Sequence, residues 1–143
     1  MPSSADAPDA LVDTSVAVAL VVEDHAHNAA VVSSLDGLVL GLAGHAAFET
    51  FSVLTRLPAP ARRPPSVVRQ ILTANFPRSR YLSADEASSL HDRLAELGIA
   101  GGAVFDALVG AVAAEHRLPL VTRDRRALET YRALGAQVRI VAD

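Results

Sequence analysis

The sequence contains no cysteine. That excludes disulfide frameworks, thiolate metal sites, iron–sulfur clusters and cysteine nucleophiles together. It contains no lysine either, so all 13 of its basic side chains are arginines. Arginine suits bidentate contact with phosphate. With a formal net charge of −3, however, the chain does not advertise a nucleic-acid binder, and the all-arginine set reads as compositional bias. No apolar run approaches the roughly 20 residues needed to span a bilayer; "VAVALVV" is far too short. The start, "MPSSADAPDA", is acidic and lacks the basic n-region of a signal peptide. A cytoplasmic protein with no membrane contact is therefore expected. Repeats and low-complexity blocks are missing as well. What remains is 143 residues, half of them apolar, enough for one domain with a real core. Residues 1–8 are expected to form a flexible tail, and residues 9–143 a single domain.

Along the chain, short apolar runs alternate with longer helical ones. "ALVD", "LVLGLA", "LPLVT" and "QVRIVA" read as strands, and "RYLS" as a further short one. The predicted helices are "TSVAVALVVE", "HAHNAAVVSSL", "GHAAFETFSVLTRL", "SVVRQILTANF", "ADEASSLHDRLAELG", "AVFDALVGAVAAEH" and "DRRALETYRALG". Phe48, Phe51, Leu54 and Leu57 are expected to share one face of the third of these. The prolines of "PAPARRPP" end that helix and start the next, and Gly98 closes the fifth. Strands separated by helices of ten or more residues predict an α/β fold with a mostly parallel sheet covered on both faces. Ligands of such sheets sit beyond the carboxyl ends of the strands.

That rule singles out the acids. Asp13 directly follows the first strand, inside the apolar stretch "ALVDTSVAVALVV". Asp124 follows "LPLVT". Either could equally be a helix N-cap, although Thr14 and Ser15 can also cap beside Asp13. Asp106 is the one charge in "GGAVFDALVGAVAA". Its neighbours Val104, Phe105, Leu108 and Val109 predict burial, and a buried carboxylate must be protonated, hydrogen-bonded or bound to a cation. Gly102 and Gly110 lie four residues to either side, leaving room for something to approach. Glu49 lies on a polar stripe with His45, Ser52 and Arg56, which by itself reads as a solvated face. Four carboxylates converging on one pocket would raise one another's pKa. A divalent cation would hold them ionised, and an all-oxygen donor set favours Mg²⁺ or Mn²⁺ over Zn²⁺. The five histidines, with no HExxH among them, read as surface or packing residues.

Assembled in this order, the residues resemble a PIN domain, specifically a VapC-type toxin of a toxin–antitoxin pair. The matching pieces are "LVDTS", "AAFETFSVLTRLP", "GGAVFDALVGAVAAEH" and "LPLVTRDRRA", spanning Ala10 to Ala142. The resemblance implies a three-layer α/β/α fold and an acidic cluster of Asp13, Glu49, Asp106 and Asp124. Thr122 matches a polar residue before the last acid, and Thr14 and Ser15 match the polar pair after the first; all three are expected as RNA contacts. Many relatives carry "TRN" with an acid three residues on. Here "TRDRRA" puts Asp124 at the Asn position and Ala127 at the later acid's. The resemblance further implies an Mg²⁺-dependent endoribonuclease that cuts tRNA or rRNA, a homodimer, and inhibition by a VapB-type antitoxin.

On this reading Asp13 and Asp106 bind Mg²⁺ directly. Asp124 completes that shell or helps hold a second ion, and Glu49 orients the attacking water or accepts its proton. Arg123, Arg125 and Arg126 would contact phosphates; otherwise they form a solvated helix start. Rival folds lack their marks. A receiver domain needs a lysine near its acids, and a haloacid-dehalogenase-type phosphatase needs Asp-x-Asp where this chain has Asp-Thr-Ser. A non-catalytic PIN-like module that binds RNA or protein is the alternative.

Overall fold

The computed structural model describes residues 6–141. Its elements are β1 (Ala10–Val12), α1 (Thr14–Val21), α2 (Asn28–Leu35), β2 (Leu40–Leu42), α3 (His45–Thr55), α4 (Pro65–Asn75), α5 (Ala84–Leu97) and α6 (Ala103–His116). After α6 come β3 (Leu120–Thr122), a 3₁₀ turn (Arg125–Ala127), α7 (Leu128–Ala133) and β4 (Val138–Ile140). The four strands form one sheet in the order β2-β1-β3-β4, parallel at every pairing.

Side chains alternate across a strand, and the core divides accordingly. Ala10, Val12, Leu40, Leu42 and Val121 point to one face, where they pack with Val16, Val31, Leu54, Val68 and Leu72 of α1–α4. Leu11 and Leu120 point to the other, against Val109 and Val112 of α6 and Tyr131 of α7. Helices thus cover both faces, giving the three-layer α/β/α fold with a parallel sheet.

Some element ends carry recognisable capping chemistry. Ser83 caps α5 by accepting from Glu86 N, and Gly98 closes it in the left-handed conformation at φ 67°. Pro65 occupies the first turn of α4, where a missing N–H costs nothing.

Several boundaries differ from the sequence reading. "RYLS" pairs only through an isolated bridge between Ala43 and Arg80, because Ser83 turns the chain directly into α5. His25–His27 form a turn rather than the start of α2. There Asn28 Nδ2 donates to Ala19 O and Leu20 O at 2.9 and 3.0 Å, closing the end of α1. "DRRALETYRALG" breaks into a 3₁₀ turn and the short α7. The expected apolar face of α3 forms only in part: Leu54 is buried and Phe51 and Leu57 pack against the same core, whereas Phe48 is exposed. Spacing by three loses about 60° per step against a helix of 3.6 residues per turn, so Phe48 and Leu54 point apart.

Of the expected tail, residues 1–5 lie outside the described residues, as does Ala142 of the last predicted strand. Asp6–Pro8 are held to the fold: Arg80 Nη2 donates to the Asp6 carbonyl at 2.6 Å, and Pro8 is buried. Among the described residues, no helix is long and apolar enough to cross a membrane.

Candidate active site

β1 and β3 are parallel neighbours, with Val12 level with Val121, so the residues after them emerge side by side. Asp13 N–H donates to Val121 O at 3.2 Å. α3, leaving β2, carries Glu49, and the first turn of α6 carries Asp106. All four acids line one cavity of about 270 Å³, together with Thr14, Ser15 and Arg123.

Asp13 is 3 % exposed and fully engaged. Its Oδ1 accepts from Ser15 Oγ at 2.6 Å and from Val16 N at 3.2 Å. Oδ2 accepts from Thr122 Oγ1 at 2.5 Å and from Tyr131 Oη at 2.8 Å. The N-cap role and the site role are therefore filled by the same carboxylate. Four hydrogen bonds use all of its roughly four lone-pair positions. Burial pushes its carboxyl pKa up, against these hydrogen bonds, each of which favours the charged form. Ser15 and Thr122 relay the arrangement to β3: Ser15 Oγ accepts from Arg123 N at 2.9 Å, and Thr122 Oγ1 accepts from Asp124 N at 2.9 Å.

Asp106 corrects the expectation of a core acid. It is half-buried, and its neighbour Phe105 is exposed. No hydrogen bond or ion pair to its carboxylate is formed among the described residues. Burial pushes its pKa up, and the negative charges of Asp124, Glu49 and Asp13 push it further, opposed by Arg126.

The room beside Gly110 also has an occupant in the protein itself. A Cβ there would stand 3.2 Å from Tyr131 Cα and 3.4 Å from its Cδ1. The bare backbone lets α7 approach and brings the Tyr131 hydroxyl to Asp13. Burial and the Asp13 charge push the Tyr131 pKa far up, so Tyr131 is held as a neutral donor.

Asp124 caps the 3₁₀ turn by accepting from Arg126 N at 3.0 Å, and it also holds the Arg126 guanidinium at 3.2 and 3.3 Å. Arg126 thus reaches the site through Asp124, whereas Arg125 is exposed and does not line the cavity. Glu49, half exposed, has His45 Nε2 3.9 Å away.

Two polar cavity residues, Tyr131 and His25, are not legible as site residues in the sequence. Tyr131 falls within an ordinary helical stretch, "ALETYRALG", that carries no signal of a site residue. His25, read as surface or packing, lines the cavity. Its Nδ1 accepts from His27 N at 3.1 Å, and burial together with the Arg123 charge lowers its pKa. A neutral ring accepting at Nδ1 carries its proton on Nε2.

The donor set is all oxygen and suits a hard divalent cation. The unpartnered Asp106 carboxylate, crowded by three like charges, is the observation that fits one. Against it, no three acidic or histidine side chains among the described residues form a ready cage, and Asp13 must release a donor before it can ligate.

Known proteins resemble this chain over most of its length. Residues 10–133 match the family model described as PIN domain. The chain is 46 % identical over 135 residues to "Ribonuclease VapC27" of Mycobacterium tuberculosis, covering 94 % of this chain and 98 % of that one. To "Ribonuclease VapC40" of the same species it is 47 % identical over 131 residues, covering 90 % and 96 %. With strand-end acids, a parallel sheet and relatives matched across nearly their whole length, the chain belongs to the PIN-domain family, and within it to the VapC-type ribonucleases.

Proposed function

We propose that the chain is a toxin acting as a cytoplasmic endoribonuclease that cuts tRNA or rRNA, stops translation and growth, depends on Mg²⁺ or Mn²⁺, works as a homodimer and is neutralised by a VapB-type antitoxin. The observation that carries the reading is Asp106: a carboxylate with no protein partner, facing three others across a cavity at the ends of β1 and β3. Asp106, Asp124 and Asp13 would hold the cation. Bound there, the cation lowers the pKa of water and offsets charge on the phosphoryl oxygens.

The chain's own residues supply the rest. Ser15, Thr122 and Tyr131 fix the Asp13 carboxylate, and Arg126 fixes Asp124. Glu49 lines the cavity with a half-exposed carboxylate and would accept the proton of the attacking water. Water adds to phosphorus, the bond from phosphorus to the 3′ oxygen breaks, and that oxygen leaves protonated. The products carry 5′-phosphate and 3′-hydroxyl ends. Arg123 at the cavity wall gives the phosphate a counter-charge in an otherwise acidic site.

The second reading, a PIN-like module that binds without cutting, draws support from the saturated Asp13. Calorimetric titration with Mn²⁺ separates the two. The nuclease reading expects binding that Asp106→Asn abolishes. A chain that binds no divalent cation is the non-catalytic module.

A further inference from the structure

The chain has four Phe, two Tyr and no Trp. Aromatic side chains normally spend their large apolar surface in the core. Here Phe48, Tyr81 and Phe105 are 66, 52 and 51 % exposed. Their placement is ordered. Phe105 directly precedes Asp106, and its ring stacks on His45 with centroids 5.0 Å apart and planes 24° from parallel. His45 in turn stands one helical turn before Glu49, its Nε2 3.9 Å from that carboxylate. One turn on from His45, Phe48 tilts against Tyr81 at 6.2 Å. Two of the four site acids are thus flanked by a preformed aromatic pair that is only partly covered by protein.

We propose that the Phe105–His45 pair is a stacking site for an unpaired nucleobase of RNA, beside the phosphate to be cut. The inference rests on, and deepens, the ribonuclease reading. An acidic cavity repels the backbone it must admit, so attraction independent of charge is needed next to it. Base–aromatic stacking supplies that attraction and tolerates any base, since every base has a π-face. His45 stacked behind Phe105 holds the ring in one orientation before the base arrives, which reduces the ordering cost of binding. A base paired in a duplex has both faces covered by its neighbours, so the site selects single-stranded loops and ends. A protein partner fits a different surface. The apolar cavity of about 420 Å³ lined by Phe48, Phe51, Leu72, Phe76 and Tyr81 can take aliphatic side chains, and neither Phe105 nor His45 lines it.

The absence of tryptophan makes the test direct. In a full-length Asp106→Asn chain, which keeps the probe uncut, Phe105→Trp places a sole indole at the site. Dodecaadenylate is expected to quench its emission, and the same strand annealed to dodecauridylate to quench it far less. In the same background, Phe105→Leu should weaken binding of single-stranded dodecaadenylate by about fivefold or more. A 2-aminopurine-substituted strand gives an independent reading: its emission should fall on binding to the chain that keeps Phe105, and fall less on binding to the Phe105→Leu chain. Affinity within twofold for Phe105→Leu, together with an indole that RNA does not quench, overturns the proposal. So does an indole whose emission follows protein concentration alone, because Phe105 is then covered by a second copy of the chain. Binding in this background does not require cleavage. A wild-type chain that cuts RNA while these readouts fail refutes the stacking site and leaves the nuclease reading standing. Quenching by a chain that never cuts does the reverse.

Discussion

Tyr131→Phe removes one hydroxyl and changes little else. Both partners are buried, with Tyr131 2 % and Asp13 3 % exposed, and the bond between them is 2.8 Å long. A hydrogen bond to a charged group contributes about 1.5–3 kcal/mol, and the substitution leaves Oδ2 with Thr122 as its remaining donor. The expected loss of stability at pH 7 is therefore about 2 kcal/mol, or a fall in Tm of roughly 6 °C for a domain of this size. The sign of its pH dependence follows from the direction of the Asp13 shift. A carboxyl whose folded pKa is raised binds its proton more tightly when folded, so its ionisation lowers stability as pH rises from the unfolded value through the folded one. Removing a donor that favours the charged form raises the folded pKa further and extends that loss upward in pH. The Tyr131→Phe deficit should thus be full at neutral pH and shrink in acid, once Asp13 is protonated in both chains. Urea denaturation across that range measures it. A deficit below about 0.5 kcal/mol, or one of equal size at every pH, would refute the reasoning and mark Tyr131 as a packing residue.

Three further outcomes are expected. Asp106→Asn relieves repulsion from Asp124, Glu49 and Asp13, so its metal-free Tm should equal or exceed the wild type's while stabilisation by Mg²⁺ disappears; a large metal-free loss would make Asp106 structural. Gly110→Ala pushes a methyl against the α7 backbone at 3.2 Å, which should cost about 1–3 kcal/mol and lower activity by moving Tyr131 away from Asp13; unchanged melting would contradict the packing described. His25→Ala should fold normally and weaken RNA affinity through loss of an Nε2–H donor in the cavity; unaltered affinity in a filter-binding assay would return His25 to a packing role.

Much of this site is legible because ligands of a parallel sheet bind beyond the carboxyl ends of its strands. Asp13 and Asp124 can be placed from the apolar runs before them. Their cap roles are legible too, and the structure shows that capping and site geometry are not alternatives: Asp13 uses its backbone-bonded oxygen to start α1 and its other oxygen to hold Thr122 and Tyr131. Asp106 stands out for a sound reason, an acid among apolar neighbours. Its expected burial is too great because local composition does not reveal which face of α6 lines a cavity. Tyr131 and His25 stay hidden because their roles arise from contacts across 118 residues, in the case of Tyr131 and Asp13, and from a turn that replaces an expected helix. Spacing by three along α3 suggests one apolar face; the fold instead leaves Phe48 outside.

The central claim is that the acidic cavity hydrolyses RNA with a divalent cation and water as nucleophile. Its most direct test is end-group analysis of RNA fragments produced by the purified chain, with Mg²⁺, with EDTA, and with Asp106→Asn. The account predicts 5′-phosphate and 3′-hydroxyl ends with Mg²⁺, and no cleavage in the other two arms. Cleavage that survives EDTA, or fragments ending in 2′,3′-cyclic phosphate, would contradict it.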